Sequence, residues 1–391
     1  MIRHLRNADV YGPSHLGRKD IYVCGAKIAA MGDALPAANA VLPQETLDCS
    51  GLRLIPGLID AHVHSTGGGG EAGYGSRVPP LQLTQLTRWG VTTCVGLLGT
   101  DATTRTIRDL VAQTYGLRRH GMTAYCYTGS YRFPVATLTG SIRDDIVFID
   151  PIVGVGELAI SDHRSSQITL DELLRVASDA HVAGLMTGKA GLLHLHLGDG
   201  QRRFELIHQA LEKSELPARV FHPTHVNRNL ELFNASFELA ARGVTVDVTA
   251  FPEADGGLLA SDAIAAWLDG DGDNAKLTCS SDGGGCMPVF DADGTVERMG
   301  VGTSKVLIDT IKSLTRRGYA LEDFLPMFTE NVARVLRLTN KGRIATGQDA
   351  DIVALDSDGN VRYVMGRGDW LVFDGEPVRQ SMFEDTRKVE S

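Results

Sequence analysis

Short apolar, β-branched runs recur along the middle of the chain, and the stretches between them repeat their apolar positions with a helical period. The runs fall at residues 54–62, 91–98, 123–128, 152–157, 192–196, 219–225, 244–249 and 276–282. Each reads as a buried strand. Between them, residues 80–89, 104–119, 170–183, 201–213, 229–241 and 303–317 gather apolar positions on one helical face. Strands alternating with helices imply a parallel sheet with helical crossovers. Eight such units predict a closed (β/α)8 TIM barrel rather than an open sheet.

The two ends are patterned differently. Residues 1–55 and 343–391 carry short β-like pieces (21–25, 27–32, 352–355, 362–365, 370–374) separated by Gly and Asp turns. Neither end is long enough to bury a good core alone. They are expected to pair into one small β-sandwich domain flanking a barrel of residues 56–342; the alternative is two separate decorations of the barrel rim. Residues 253–262, rich in Gly and Ala, read as a mobile loop after the seventh strand.

Bulk properties narrow the class. A length of 391 residues suffices for a barrel plus a small domain. A net charge of -10 argues against nucleic-acid binding, which favours a basic face. No apolar run reaches the roughly 18 residues of a membrane span, and residues 1–11 lack the apolar core of a signal peptide. The six cysteines contain no CxxC pair, so neither a zinc ribbon nor a thioredoxin-type site is indicated. A cytoplasmic location is the default reading.

Metal-binding chemistry collects at the strand ends. The first strand ends in Asp60-Ala61-His62-Val63-His64, the fourth in Glu157, the fifth in His194-Leu195-His196, the sixth in His225 and the eighth in Asp282. Residues i and i+2 of a strand face the same way, so His62 and His64 can share an ion. The C-terminal strand ends of a barrel meet at one mouth. There His62, His64, Glu157, His196, His225 and Asp282 would form a set too large for one tetrahedral ion. The set suits two divalent ions, zinc above all, bridged by a carboxylate and a hydroxide. His194 shares a face with His196 and is the rival ligand. His4, His15, His120, His181 and His208 lack this context and are expected at the surface.

This pattern resembles the amidohydrolase superfamily, as does Lys341-Gly342-Arg343-Ile344 followed by residues 347–353 (GQDADIV). Local stretches resemble its isoaspartyl dipeptidase branch: residues 67–73 (GGGGEAG), 96–101 (GLLGTD), 129–131 (GSY), 159–165 (AISDHRS), 196–199 (HLGD) and 223–229 (PTHVNRN). The resemblance covers nearly the whole chain. It implies hydrolysis of β-aspartyl dipeptides by a metal-bound hydroxide, in a homo-oligomer that is often an octamer.

By the same resemblance, Asp282 is the general acid/base, Tyr131 stabilises the oxyanion and Glu71 grips the α-amino group. Gly69, Thr100 and Cys286 hold the aspartyl carboxylate. Arg164 and Arg228 suit carboxylates through paired hydrogen bonds. Two positions depart from the branch. Glu157 stands where it typically has a carbamylated lysine, leaving either one or two ions open; Lys189 lies before the fifth strand and is not its substitute. Cys286 replaces a serine, and a thiol is a weak donor. Alternatives are another amidohydrolase activity, on a cyclic amide or an N-acyl amino acid, and a scaffold that has lost its chemistry.

Overall fold

A computed structural model describes residues 2–36, 43–253, 256–290 and 296–384. Eight parallel strands form the barrel: β1 (Leu58–Val63), β2 (Val91–Gly96), β3 (Thr123–Thr128), β4 (Ile152–Ile160), β5 (Leu192–Leu197), β6 (Phe221–Thr224), β7 (Val246–Thr249) and β8 (Leu277–Ser280). β1 to β6 pair in order as one parallel sheet, and β7 pairs with β8. The Val226 amide donates to Asp247 O at 3.2 Å, joining β6 to β7. The His64 amide donates to Gly283 O at 2.8 Å and closes the ring.

The strands are buried on both faces, which is why they read as apolar runs rather than alternations. Outward residues pack on helices such as Ile107–Arg119, Leu170–Thr187 and Lys305–Arg316. Inward residues Ile59, Ala61, Val95, Leu97, Tyr127, Val153 and Leu192 form a second cluster with Val332, Ala333 and Leu336. Helix starts are fixed locally: Thr106 with Asp109, and Thr169 with Glu172, form reciprocal capping boxes.

Both chain ends contribute to one nine-stranded sheet. The strand Arg53–Pro56, which leads into β1, pairs antiparallel with the returning Ile352–Leu355. Buried Lys341 sits at this joint, ion-paired to Asp351 and, at 3.0 Å, to Asp349. Residues 1, 37–42 and 385–391 of the expected β-domain lie outside the described residues.

Three expectations change. His4 is buried rather than at the surface, with its ring tilted against that of Tyr22 at 4.2 Å and lying 3.5 Å from Asp20. The loop predicted over 253–262 ends earlier, because a helix starts at Ala260 and runs to Asp269; residues 254 and 255 of that loop are outside the described set. A β-hairpin, Cys286–Phe290 with Val296–Val301, follows β8 where no strands were expected. No helix among the described residues is long and apolar enough to cross a membrane.

Candidate metal centre and active site

β1, β4, β5, β6 and β8 converge their C-terminal ends on Glu157, which is fully buried. Its Oε1 lies 3.4 Å from His64 Nε2, and its Oε2 lies 3.2 Å from His196 Nδ1. Oε2 is also 3.6 Å from both His62 Nε2 and His225 Nε2. Asp282 Oδ1 reaches His64 Nε2 at 3.0 Å and His62 Nε2 at 3.4 Å. Three ligand groups result: His62, His64 and Glu157; Glu157, His196 and His225; and His62, His225 and Asp282. Glu157 belongs to two of them.

The backbone is shaped for this convergence. His225 and Asp282 both adopt left-handed conformations, φ 62° and 52°, which side chains rarely occupy and which recur at functional sites. A Cβ on Gly99 would lie 2.7 Å from His64 Cε1, and one on Gly285 would lie 2.4 Å from Asp282 Oδ1. Glycine at both positions lets the loops approach the cluster.

Burial and crowding set the charge states. Burial first, then repulsion from Asp282, pushes the Glu157 carboxyl well above the ordinary range. Burial acts upward on Asp282 too, but the adjacent His62 and His64 imidazoles overcome it and hold that carboxyl well below. Burial drives the His196 imidazole down to about 3 and His225 well below its usual value. Both imidazoles are therefore neutral and offer lone pairs. His62 Nε2 and Glu157 Oε1 are buried without a hydrogen-bond partner among the described residues. Stranded ligand atoms and neutral imidazoles around two carboxylates are a donor set that fits divalent cations.

Neither His194, the rival ligand, nor Lys189 belongs to this group. His194 stands behind His62, with its Nε2 2.9 Å from His62 Nδ1. Lys189 Nζ donates to the carbonyls of Ile146 and Ile149 instead.

The predicted substrate residues form the wall beside the cluster. Tyr131 is buried with its hydroxyl 2.8 Å from His196 Nδ1. Burial, then Glu157, raises its pKa well above the phenol range, so it keeps its proton to donate. Arg164 stacks over the Tyr131 ring at 5.4 Å and donates from Nη2 and Nε to Asp162 at 2.7 and 3.1 Å. Its Nη1 is 3.6 Å from Glu71. The Thr100 hydroxyl donates to Glu71 at 3.0 Å. Arg228 leaves its Nε buried and unpartnered among the described residues, with Nη1 3.8 Å from Asp199. Gly69 has φ +74°, and a Cβ there would meet Ser76 O at 2.3 Å and Cys286 Sγ at 3.4 Å. Burial, then Glu71, pushes the Cys286 thiol up to about 11.

Three further residues take their roles from partners distant in the chain. Asp162 Oδ2 lies 3.0 Å from His196 Nε2, the ring nitrogen turned away from Glu157. Arg105 is buried and donates to the carbonyls of Gly68 and Val78 at 2.9 and 2.8 Å and to Asp101 at 3.1 Å, clamping the glycine loop. His222 lies inside the barrel, 3.0 Å from His194. A signal for it exists in the sequence. Buried β6, β7 and β8 carry polar residues with a period of two: His222 and Thr224, Asp247 and Thr249, Thr278 and Ser280.

Residues 53–371 match the model of the amidohydrolase family. A β-aspartyl dipeptidase from the thermophilic keratin degrader Fervidobacterium islandicum, solved with a β-Asp-Leu dipeptide, is 42% identical. That match covers 96% of this chain and 97% of that one, with a TM-score of 0.91. A dihydropyrimidinase from Brevibacillus agri shares the fold at 18% identity, TM-score 0.64 and 97% coverage of each chain. A dihydroorotase from Lactobacillus johnsonii is 38% identical over 60 residues, 15% of this chain and 13% of that protein.

Proposed function

The chain belongs to the amidohydrolase family and, within it, groups with β-aspartyl dipeptidases, and on that premise we propose that it hydrolyses the side-chain amide of β-aspartyl dipeptides. The observation that carries this reading is Glu157 shared by two ligand groups, beside a wall that offers both signs of charge. A dipeptide linked through the Asp side chain has one ammonium and two carboxylates. Glu71 meets the ammonium, while Arg164 and Arg228 meet carboxylates. The stranded Nε of Arg228 supports this, being a buried donor with no acceptor among the described residues.

His62, His64, His196, His225 and Asp282 would hold two divalent cations, zinc in our reading, with Glu157 between them. Bound there, they would acidify a water and polarise the scissile carbonyl. The remaining work falls to the chain. Asp282 accepts the proton of the attacking water and hands it to the leaving amine. Tyr131 keeps its proton and donates a hydrogen bond to the developing oxyanion. Asp162 orients His196 by accepting from its far nitrogen. Gly69, Thr100 and Cys286 flank the aspartyl carboxylate, with the Gly69 backbone free to approach closely. We place this activity in the cytoplasm, the default reading of the sequence, and in a homo-oligomer, which the resemblance implies.

The test is a turnover panel of β-Asp-Leu, α-Asp-Leu, hydantoin and N-acetyl amino acids, with metal content measured on the same preparation. Preference for β-Asp-Leu by protein carrying about two metal ions per chain is expected. Faster turnover of hydantoin or an N-acetyl amino acid would replace this reading with another amidohydrolase activity.

A further inference from the structure

His62 is the first residue of an unbroken hydrogen-bonded row that runs away from the candidate metal centre into the barrel. His62 Nδ1 lies 2.9 Å from His194 Nε2, and His194 Nδ1 lies 3.0 Å from His222 Nδ1. His222 Nε2 lies 3.1 Å from the Thr278 hydroxyl, which donates to Asp247 Oδ1 at 2.6 Å. Asp247 also accepts from Thr224 and Ser280, at 2.8 and 2.5 Å. Every member is buried, and the His194 ring stacks on Tyr127 at 5.2 Å.

The direction of each bond follows from donor chemistry. A carboxylate only accepts, so Thr278 spends its one hydrogen on Asp247 and keeps a lone pair for His222. His222 must then carry its proton on Nε2. A neutral imidazole has one N–H, so His222 Nδ1 accepts, and His194 donates from its own Nδ1. His194 Nε2 is left as an acceptor, which requires the proton of His62 on Nδ1. The lone pair of His62 is thereby fixed on Nε2, the nitrogen facing Glu157 and Asp282.

We propose that His194, His222, Thr278 and Asp247 are positioning residues that lock His62 into the one tautomer able to bind a metal through Nε2. The proposal rests on the metal reading above. It assigns a task to buried polar residues that the reaction itself does not use. Without the row, the unliganded His62 ring is free to place its proton on either nitrogen. Partners of this kind commonly change metal affinity ten- to a hundredfold when removed.

Thr278→Val is the discriminating substitution, because it keeps the shape and deletes the acceptor. Chelator competition for Zn2+ or Co2+, on the metal-stripped full chain, should show affinity lowered about ten- to a hundredfold. Thr278→Ser should restore it to within about threefold. A folded Thr278→Val that holds metal as tightly as the parent overturns the proposal. Histidine 15N spectra of the metal-free parent supply a second test that needs no variant. They should show His62 and His194 protonated on Nδ1 and His222 on Nε2; an Nε2-protonated His62 is the opposing result. Parent protein that binds no divalent metal would defeat the reading of the centre itself, while the nitrogen assignment is still decided on the same sample.

Discussion

Two buried clusters of charge are connected through β1 and solve the same problem in opposite ways. Before its start, the Gly57 amide donates to Asp351 O at 2.9 Å, beside Lys341 and Asp349. At its end stand His62 and His64, facing Glu157 and Asp282. In the joint, cations and carboxylates interleave: Lys341 bridges Asp349 and Asp351, and Lys27 adds a contact to Asp349 at 2.8 Å. At the mouth, two carboxylates face four imidazoles, no lysine or arginine among the described residues pairs with either, and ligand atoms are left stranded. The joint carries its own counter-charge. In the reading proposed above, the mouth takes its counter-charge from bound cations, and that difference would separate a structural ion cluster from a site.

The strongest way to break this contrast is Asp282→Asn. The amide keeps the shape but cannot accept the water proton. Turnover should fall about ten-thousandfold, the upper range for general acid–base catalysis, or about 5.5 kcal/mol in barrier. The four histidines and Glu157 should still retain metal. Full turnover, or complete loss of metal, would remove Asp282 from the role given to it.

Lys341→Met makes the reciprocal test at the joint. Removing one partner of a buried ion cluster strands the rest, at a cost of about 3–5 kcal/mol in unfolding free energy. Burial lowers the Lys341 pKa, but Asp351 and Asp349 overcome this and raise it. Burial raises Asp349, but the Lys27 and Lys341 contacts bring it below the ordinary range. The signs give a window. The Asp349 contribution is complete above about 3.9, the unfolded carboxylate value, and is lost as pH falls through the folded one. The Lys341 contribution is complete below about 10.4 and is lost as pH rises through its raised value. Urea melts across pH should show the parent–variant gap steady near neutrality and shrinking at both extremes. Metal affinity per folded molecule should stay the same; a large drop would mean that the two clusters are coupled along β1.

The Glu71→Gln change probes the charged wall. Loss of a charge-assisted bond to the substrate ammonium should lower kcat/KM by about 1.5–3 kcal/mol. Because Glu71 also faces Arg164, the neutral amide releases that arginine toward Asp162 alone. Affinity for a carboxylate-only competitor should therefore hold or improve while that for the zwitterion falls. Equal losses for both would mean that Glu71 shapes the loop rather than reading charge.

How much of this was legible in the sequence depends on whether the signal is local. The barrel strands were legible because strands buried on both faces become continuous apolar runs. The gathering of the candidate ligands was legible because His62 and His64 lie two apart at the end of β1, with the others at or near strand ends. Other features carried weaker signals. The helix Ala260–Asp269 hides behind a glycine-rich approach, although its alanines favour helix. Arg105 and Asp162 draw their meaning from Gly68 and His196, up to 37 residues away, so no short window reveals them, and His222 shows only as one of the alternating polar positions of β6 to β8. His4 failed as a surface assignment for the same reason: its partner Asp20 lies on the neighbouring strand.

The smallest expected effect tests the most local departure, Cys286. Its Sγ borders Gly69, where the loop clamped by Arg105 meets the hairpin that follows β8. With its pKa pushed up to about 11, the thiol is uncharged at neutral pH and donates only weakly. A carboxylate bound there would take its main hydrogen bonds from backbone amides. Cys286→Ser adds a stronger donor at nearly the same volume, so KM should fall modestly, by about 0.5–1.5 kcal/mol, the net worth of one ordinary hydrogen bond. Turnover at saturation should barely move, because the contact is made equally in ground and transition states. An unchanged KM would place the carboxylate beyond reach of residue 286, and a change in kcat instead would bring that residue closer to the reacting carbonyl than the wall of Gly69 and Thr100 implies.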